Sequence, residues 1–292
     1  MDDVLLLLKG SYVVIDKPYG PTSHQVTSWV KKILNVNKAG HAGTLDPHVT
    51  GVLPIGINKG TKVINLLHYL EKEYVGVMRL HSDIDEESII NIFKEFTGEI
   101  YQSVPVRSAV SRTIRKRRIY SLKFLEKEGL NVLFKTTTES GTYIRTLCVD
   151  VGDALGVGAN MVELRRTRTG HITENESHYL QDLVDAYEFY KEGDYRYLKN
   201  ILRPLEELIK PFPKIWVKDS AVDALANGAP LYDVGITKIE GELKVGFPVA
   251  VLTQKDRLIG YGYYTGNEAG KILKMDSILI ERGEYPKGWK DK

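Results

Sequence analysis

Between residues 40 and 56 the chain reads Gly-His-Ala-Gly-Thr-Leu-Asp-Pro-His-Val-Thr-Gly-Val-Leu-Pro-Ile-Gly. A residue directly before proline is pushed out of the helical region, so Asp46, which precedes Pro47, is expected in extended or turn backbone. Gly40, Gly43 and Gly51 let the main chain take positive φ and let another segment come close. One carboxylate is thereby placed on a tight loop between Gly43 and Gly51, with His41 five residues upstream. That is how a chain presents a group. Alone, Leu-Asp-Pro would be a turn in which the aspartate caps the next segment.

The pattern around this loop predicts a mixed α and β chain. Residues 12–16, Tyr-Val-Val-Ile-Asp, read as a buried strand. After the loop Lys17-Pro-Tyr-Gly-Pro21, Thr22 or Ser23 caps a helix whose apolar face is Val26, Trp29, Val30, Ile33 and Leu34. Residues 61–70 are expected as a short helix, 74–80 as a strand, and 85–96 as a helix with an acidic first turn. Residues 119–125 and 132–137 read as a hairpin across Glu128-Gly129, followed by a helix over 143–155. Strands and helices mix without regular alternation, which favours an α+β sheet over a doubly wound one. Prolines near Lys210-Pro-Phe-Pro213 mark a boundary, dividing the chain into 1–210 and 211–292. Beyond it, a short helix over 217–226 precedes short strands at 246–252, 257–264 and 272–280, the pattern of a small β-barrel.

At 292 residues the chain can bury a sizeable core, and its formal net charge is only +2. The distribution is less even: residues 107–170 hold thirteen Lys and Arg against six Asp and Glu. A locally basic face suits a polyanionic partner. Arg112, Arg115, Lys116, Arg117 and Arg118 are its densest part. One cysteine, Cys148, allows no intrachain disulfide, which fits a reducing cytoplasm. No apolar run approaches a membrane span. Gly51-Val-Leu-Pro-Ile-Gly56 begins like a phosphate-binding loop, but Ile57-Asn58 follows where Lys-Ser/Thr is required. The seven histidines show no metal-ligand spacing, and no dinucleotide fingerprint is present. No cofactor or metal is expected.

The stretch from Gly40 resembles the Gly-His-x-Gly-Thr-Leu-Asp-Pro-x-x-Thr-Gly-x-Leu signature of the TruB-type pseudouridine synthases. That family includes bacterial tRNA enzymes and the archaeal and eukaryotic H/ACA-guided enzymes of dyskerin type. The resemblance extends over almost the whole chain. It implies a pseudouridine synthase mixed sheet with flanking helices, and the tail resembles a PUA domain, an RNA-binding module. It also implies an isomerase that breaks a uridine glycosidic bond, turns the base and rejoins it through carbon.

The same resemblance assigns residues. Asp46 is implied as the catalytic carboxylate, acting on base or sugar as nucleophile or as a base. An aspartate in a dry pocket needs a partner to stay ionised; Gly141-Thr-Tyr-Ile-Arg-Thr-Leu147 matches the family's basic motif and puts Arg145 there. Lys72-Glu-Tyr-Val75 matches the motif that lays a tyrosine, here Tyr74, against the target base. His41 is implied to help hold RNA with the base flipped out. Within Glu163-Leu-Arg-Arg-Thr-Arg168, Leu164 is implied as an apolar wall of the base pocket; Arg165, Arg166 and Arg168 are candidates for phosphate contacts or for supporting the active-site helix. Lys17-Pro18 matches a motif that is mainly structural and is expected near the tyrosine strand. Arg112, Arg115 and Lys116 follow Val104-Pro-Val-Arg-Ser-Ala-Val110, which in the family adjoins RNA.

Stand-alone members carry a long insertion, the thumb, after the Ser-Ala segment. Here Ser108-Ala109 is followed almost at once by the basic cluster, which implies the archaeal guided type, with H/ACA guide RNA and small accessory proteins as partners and rRNA, with tRNA besides, as substrate. Ala42 departs from the serine usual in the guided group. The other readings are a stand-alone tRNA TΨC-loop enzyme and a non-catalytic RNA-binding scaffold; the latter would need none of Asp46, Tyr74 and Arg145.

Overall fold

The computed structural model describes residues 2–103 and 114–285. Arg112 and the 104–110 motif fall outside them. Two sheets organise the chain.

The first is built from β1 (Gly10–Lys17), β2 (Ala39–His41), β3 (Val49–Asn58), β4 (Lys72–Leu80), β5 (Gly98–Ser103), β6 (Ile114–Glu128), β7 (Asn131–Thr138), β8 (Ala159–Thr169) and β9 (Ile172–Thr173). Its strand order is β1-β3-β8-β4-β7-β6-β5, with β2 added to β3 and β9 to β8. The β3–β8 pair is parallel and β4 pairs antiparallel with both β7 and β8, so the sheet is mixed, as expected. Its helices are α1 (Asp2–Lys9), α2 (Ser23–Ile33), α3 (Glu86–Glu95), α4 (Ile144–Ala154), α5 (Leu180–Lys191) and α6 (Arg196–Ile201).

Period-two alternation decides which core each strand serves. Val13 and Ile15 of β1 pack with Leu53, Ile55 and Ile57 of β3 against α2, α5 and α6. Tyr12 and Val14 face the other way, into a core shared with the second sheet. A third core places Met78 of β4, Phe134 of β7 and Leu164 of β8 against Phe93 of α3 and Leu147, Cys148 and Val151 of α4.

The second sheet has β10 (Lys214–Val217), β11 (Leu231–Tyr232), β12 (Ile236–Glu240), β13 (Pro248–Thr253), β14 (Leu258–Glu268) and β15 (Lys271–Ile278), with α7 (Asp219–Ala226) beside it. Its order is β11-β15-β14-β13-β10-β12.

Three local expectations are corrected. Residues 59–62 and 64–69 form 3-10 turns, not an α-helix. Val217 ends a strand, and α7 starts at Asp219. Trp29 is 40% exposed; Thr27 is buried on α2 instead, because its hydroxyl bonds Ser23 O and meets His41.

Candidate active site

The loop between β2 and β3 carries Asp46, and its main chain is tied down from below. Ser23, fully buried at the start of α2, donates to Leu45 O at 2.9 Å and accepts from Leu45 N at 2.8 Å. Thr22 makes the helix cap with Gln25, which leaves Ser23 free for this clamp. Lys17 at the end of β1 is also fully buried, and its ammonium donates to Pro18 O, Pro47 O and Val49 O at 2.9, 3.1 and 2.9 Å. Lys17 therefore fastens the aspartate loop. It does not lie on the strand beside the tyrosine, because β3 and β8 separate β1 from β4. Burial pushes the Lys17 ammonium below its ordinary pKa, and the Asp46 charge opposes that shift.

Arg166 on β8 is the third anchor and is 1% exposed. Its guanidinium donates to Val52 O at 2.8 Å and Gly43 O at 3.0 Å and meets the Tyr74 hydroxyl. No phosphate reaches a side chain so placed. Of the two roles expected for Arg166, support is the one its position allows, and it supports the aspartate loop rather than a helix. Two glycines make room: a Cβ on Gly51, whose φ is +101°, would sit 2.2 Å from Arg166 O, and one on Gly43, φ +76°, would sit 3.0 Å from the guanidinium.

Above this floor the carboxylate of Asp46 and the guanidinium of Arg145 form an ion pair, bringing together residues 99 apart in sequence. Both side chains are about half exposed, so the site is open to solvent, not dry, in the free protein. Arg145 is the second residue of α4. Tyr74, Leu164, Leu45, Val49 and Ile144 share one buried apolar cluster, which forms the floor of the site. His41 stands at its edge, half-buried, with Nδ1 3.1 Å from Thr27 Oγ1, Nε2 3.4 Å from Thr44 Oγ1, and its ring edge-on to His24 at 4.8 Å. Burial, then the charges of His24, Arg166 and His68, lower its pKa to about 4, so the ring is neutral at pH 7.

The other arginines are engaged within the protein. Arg165 makes a two-pronged contact with Asp16, 2.9 Å on each arm, and bonds Glu174 at 2.8 Å. Arg168 bonds Gly170 O and pairs with Glu71 at 2.8 Å. Lys116 pairs with Glu99 at 2.8 Å, but both are exposed, and a pair of that kind exchanges for another anion at little cost. Arg115 lies beside it on β6, opposite Gln102. Arg117 donates to Gly141 O at 3.2 Å and so touches the turn that leads into α4.

Sequence reasoning missed Ser23 as a clamp, and it missed Lys72. Lys72 is 3% exposed and donates to Leu67 O, Leu70 O and Ser140 Oγ at 2.6, 2.6 and 3.0 Å. Its burial, with Arg166 nearby, lowers its pKa to about 7. The signal available was position: both residues flank motif residues.

One carboxylate paired with a guanidinium over an apolar floor with a tyrosine can act at a nucleoside with no redox step. Residues 31–144 match the TruB family pseudouridylate synthase N-terminal domain, residues 145–210 the tRNA pseudouridylate synthase B C-terminal domain, and residues 213–283 the PUA domain. The "Probable tRNA pseudouridine synthase B" of Methanocaldococcus jannaschii is 48% identical over 98% of this chain and 88% of its own length. That of Pyrobaculum aerophilum is 50% identical over 98% and 88%. The chain belongs to the TruB family of pseudouridine synthases. As a TruB-family enzyme it is an isomerase acting on RNA. Among solved structures, a Cbf5-Nop10-Gar1 complex matches with a TM-score of 0.92 at 45% identity, over 97% of this chain and 89% of that one. An H/ACA RNP bound to a substrate RNA containing 2'-deoxyuridine matches at 0.89 and 44%, over 98% and 90%. Among the described residues no helix is long and apolar enough to cross a membrane.

Proposed function

We propose that this chain isomerises uridine to pseudouridine in rRNA, and in tRNA besides, as the catalytic subunit of an H/ACA guide ribonucleoprotein. The observation that carries the guided reading is the connection between β5, ending at Ser103, and β6, starting at Ile114. That connection is ten residues long, against the long insertion that stand-alone members carry there. A guide RNA and small accessory proteins would then hold the substrate, as the similarity to chains in Cbf5-Nop10-Gar1 and H/ACA RNP complexes supports.

In this reading the target uridine leaves its stack to reach Asp46, which attacks or deprotonates the nucleotide. Arg145 orients the carboxylate, Tyr74 and Leu164 meet the base, and the neutral His41 ring holds the flipped strand. Arg115, Lys116 and the neighbouring basic residues of β6 take phosphates. Arg165 and Arg168 serve only if their carboxylate partners release them. Catalysis belongs to residues 1–210 and a further RNA grip to 211–292, in the cytoplasm, with no cofactor.

A second reading, a stand-alone tRNA enzyme, is favoured by the name that the Methanocaldococcus jannaschii and Pyrobaculum aerophilum relatives carry, "Probable tRNA pseudouridine synthase B". Tritium release from 5-tritiated uridine decides between them, measured on rRNA and tRNA substrates with and without H/ACA guide RNA and accessory proteins. The guided reading expects release on rRNA only in the complete assembly. Release on tRNA that ignores guide and partners would replace it with the stand-alone reading, and RNA binding without release in any condition would leave a scaffold.

A further inference from the structure

Arg145 meets Asp46 from the first turn of α4, and the start of that helix is held in an unusual way. Tyr143, the residue before the helix, makes no side-chain cap, although a helix start leaves several N–H groups without intrahelical partners. A side chain from another element holds the residue at the helix start instead. Gln102 on β5 is 2% exposed. Its Oε1 accepts from Tyr143 N at 3.0 Å and its Nε2 donates to Tyr143 O at 3.1 Å. The other residues of β5 are half-buried or exposed. One amide that satisfies both main-chain groups of one residue fixes that residue in place and in rotation, as a strand partner would. The turn before it has further struts: Lys72 reaches Ser140, and Arg117 reaches Gly141 O.

We propose that Gln102 is a positioning residue for the isomerisation: its double bond to the Tyr143 main chain sets the first turn of α4, and with it the place of the Arg145 guanidinium at Asp46. The ion pair cannot do this for itself. Both its members are half exposed, and an exposed pair contributes at most about 1 kcal/mol, too little to hold a helix. The scaffold must supply the alignment, and a misplacement of roughly 1 Å in a reacting group can cost on the order of a hundredfold in rate. Among the described residues β5 is an edge strand paired with β6; Ile100 packs against the apolar cluster under the site, and the Gln102 amide is the strand's hydrogen-bonded link to the start of α4.

This inference rests on Asp46 and Arg145 being the catalytic pair, and its test separates the two. Gln102→Met keeps the length of the side chain and removes both bonds. The full chain, in whichever assembly supports wild-type release, is assayed for single-turnover tritium release at saturating RNA, for RNA affinity and for melting temperature. The rate is expected to fall by about ten- to a hundredfold while RNA affinity stays within about twofold. In an Arg145→Lys background the same change is expected to add little. An unchanged rate overturns the proposal, as does a full multiplicative loss in that background or a loss that tracks falling affinity. If Gln102→Met does not fold, Gln102→Glu carries the same comparisons, since it keeps the acceptor for Tyr143 N–H and loses the amide donor. A crystal structure of the variant should show the Arg145 guanidinium displaced from Asp46; an ion pair left in place counts against the proposal. If the wild-type chain releases no tritium at all, the functional reading fails, and the displacement still decides the positioning.

Discussion

Arg145 and Asp46 are joined in the free protein, yet their exposure makes the pair a weak source of stability. Arg145→Met should therefore change the free energy of unfolding by less than about 1 kcal/mol while the single-turnover rate falls steeply. A stability loss as large as the kinetic one would mean the pair is a structural tie. His41 makes the second residue-scale prediction. Its folded pKa, about 4, lies below its ordinary value of 6.5. The folded state therefore binds fewer protons than the unfolded one between those values. The stability it contributes is complete above pH 6.5 and is lost as pH falls toward 4. Denaturant unfolding at pH 7 and pH 5 should show a smaller loss in His41→Gln than in the wild type. Some loss will remain, because burial lowers His68, His171 and His178 as well. An identical loss in both proteins would contradict the account.

At the scale of elements, the aspartate loop is stiff because Ser23, Lys17 and Arg166 reach it from α2, β1 and β8. The parallel contact of β3 with β8 depends on Gly51. In Gly51→Ala the new Cβ would meet the Arg166 carbonyl at a φ that L residues avoid. A cost of roughly 3 kcal/mol or more is expected, read as a lower denaturation midpoint together with loss of tritium release. A midpoint unchanged from wild type would show that the two strands can part without consequence. The loop itself was legible in sequence, since Asp-Pro and the glycines constrain the backbone locally. So were β4, α3 and the β6–β7 hairpin, whose apolar periods are regular. β8 was not recognised as a strand. Its three arginines hid a central position, because Arg166 is held by main-chain carbonyls, with no ion pair among the described residues, and Arg165 finds its carboxylates, Asp16 and Glu174, only after folding. The role of Gln102 was equally hidden, because its partner is a main chain 41 residues away.

For the molecule as a whole, one core joins the two sheets: Tyr12, Val14, Val52 and Leu66 pack in the same cluster as Trp216, Leu252, Leu258 and Tyr261. Tyr69 OH donates to Tyr263 OH at 3.0 Å, and Lys59 pairs with Glu281 across the same junction. Thermal unfolding of the full chain should show one transition, and a chain ended at residue 210 should expose this core and lose solubility; two separate transitions would make the sheets independent. The basic character of residues 107–170 was visible from composition, but composition could not show which charges are already satisfied inside the fold. RNA affinity should still fall steeply with salt, roughly in line with the phosphates contacted, and a flat response would remove the basic face from the account. The central claim is that a single carboxylate, held on this loop, does the chemistry. Tritium release by Asp46→Asn in the complete assembly tests it most directly. Release should drop to background with RNA affinity and melting temperature preserved; release at the wild-type rate would contradict it.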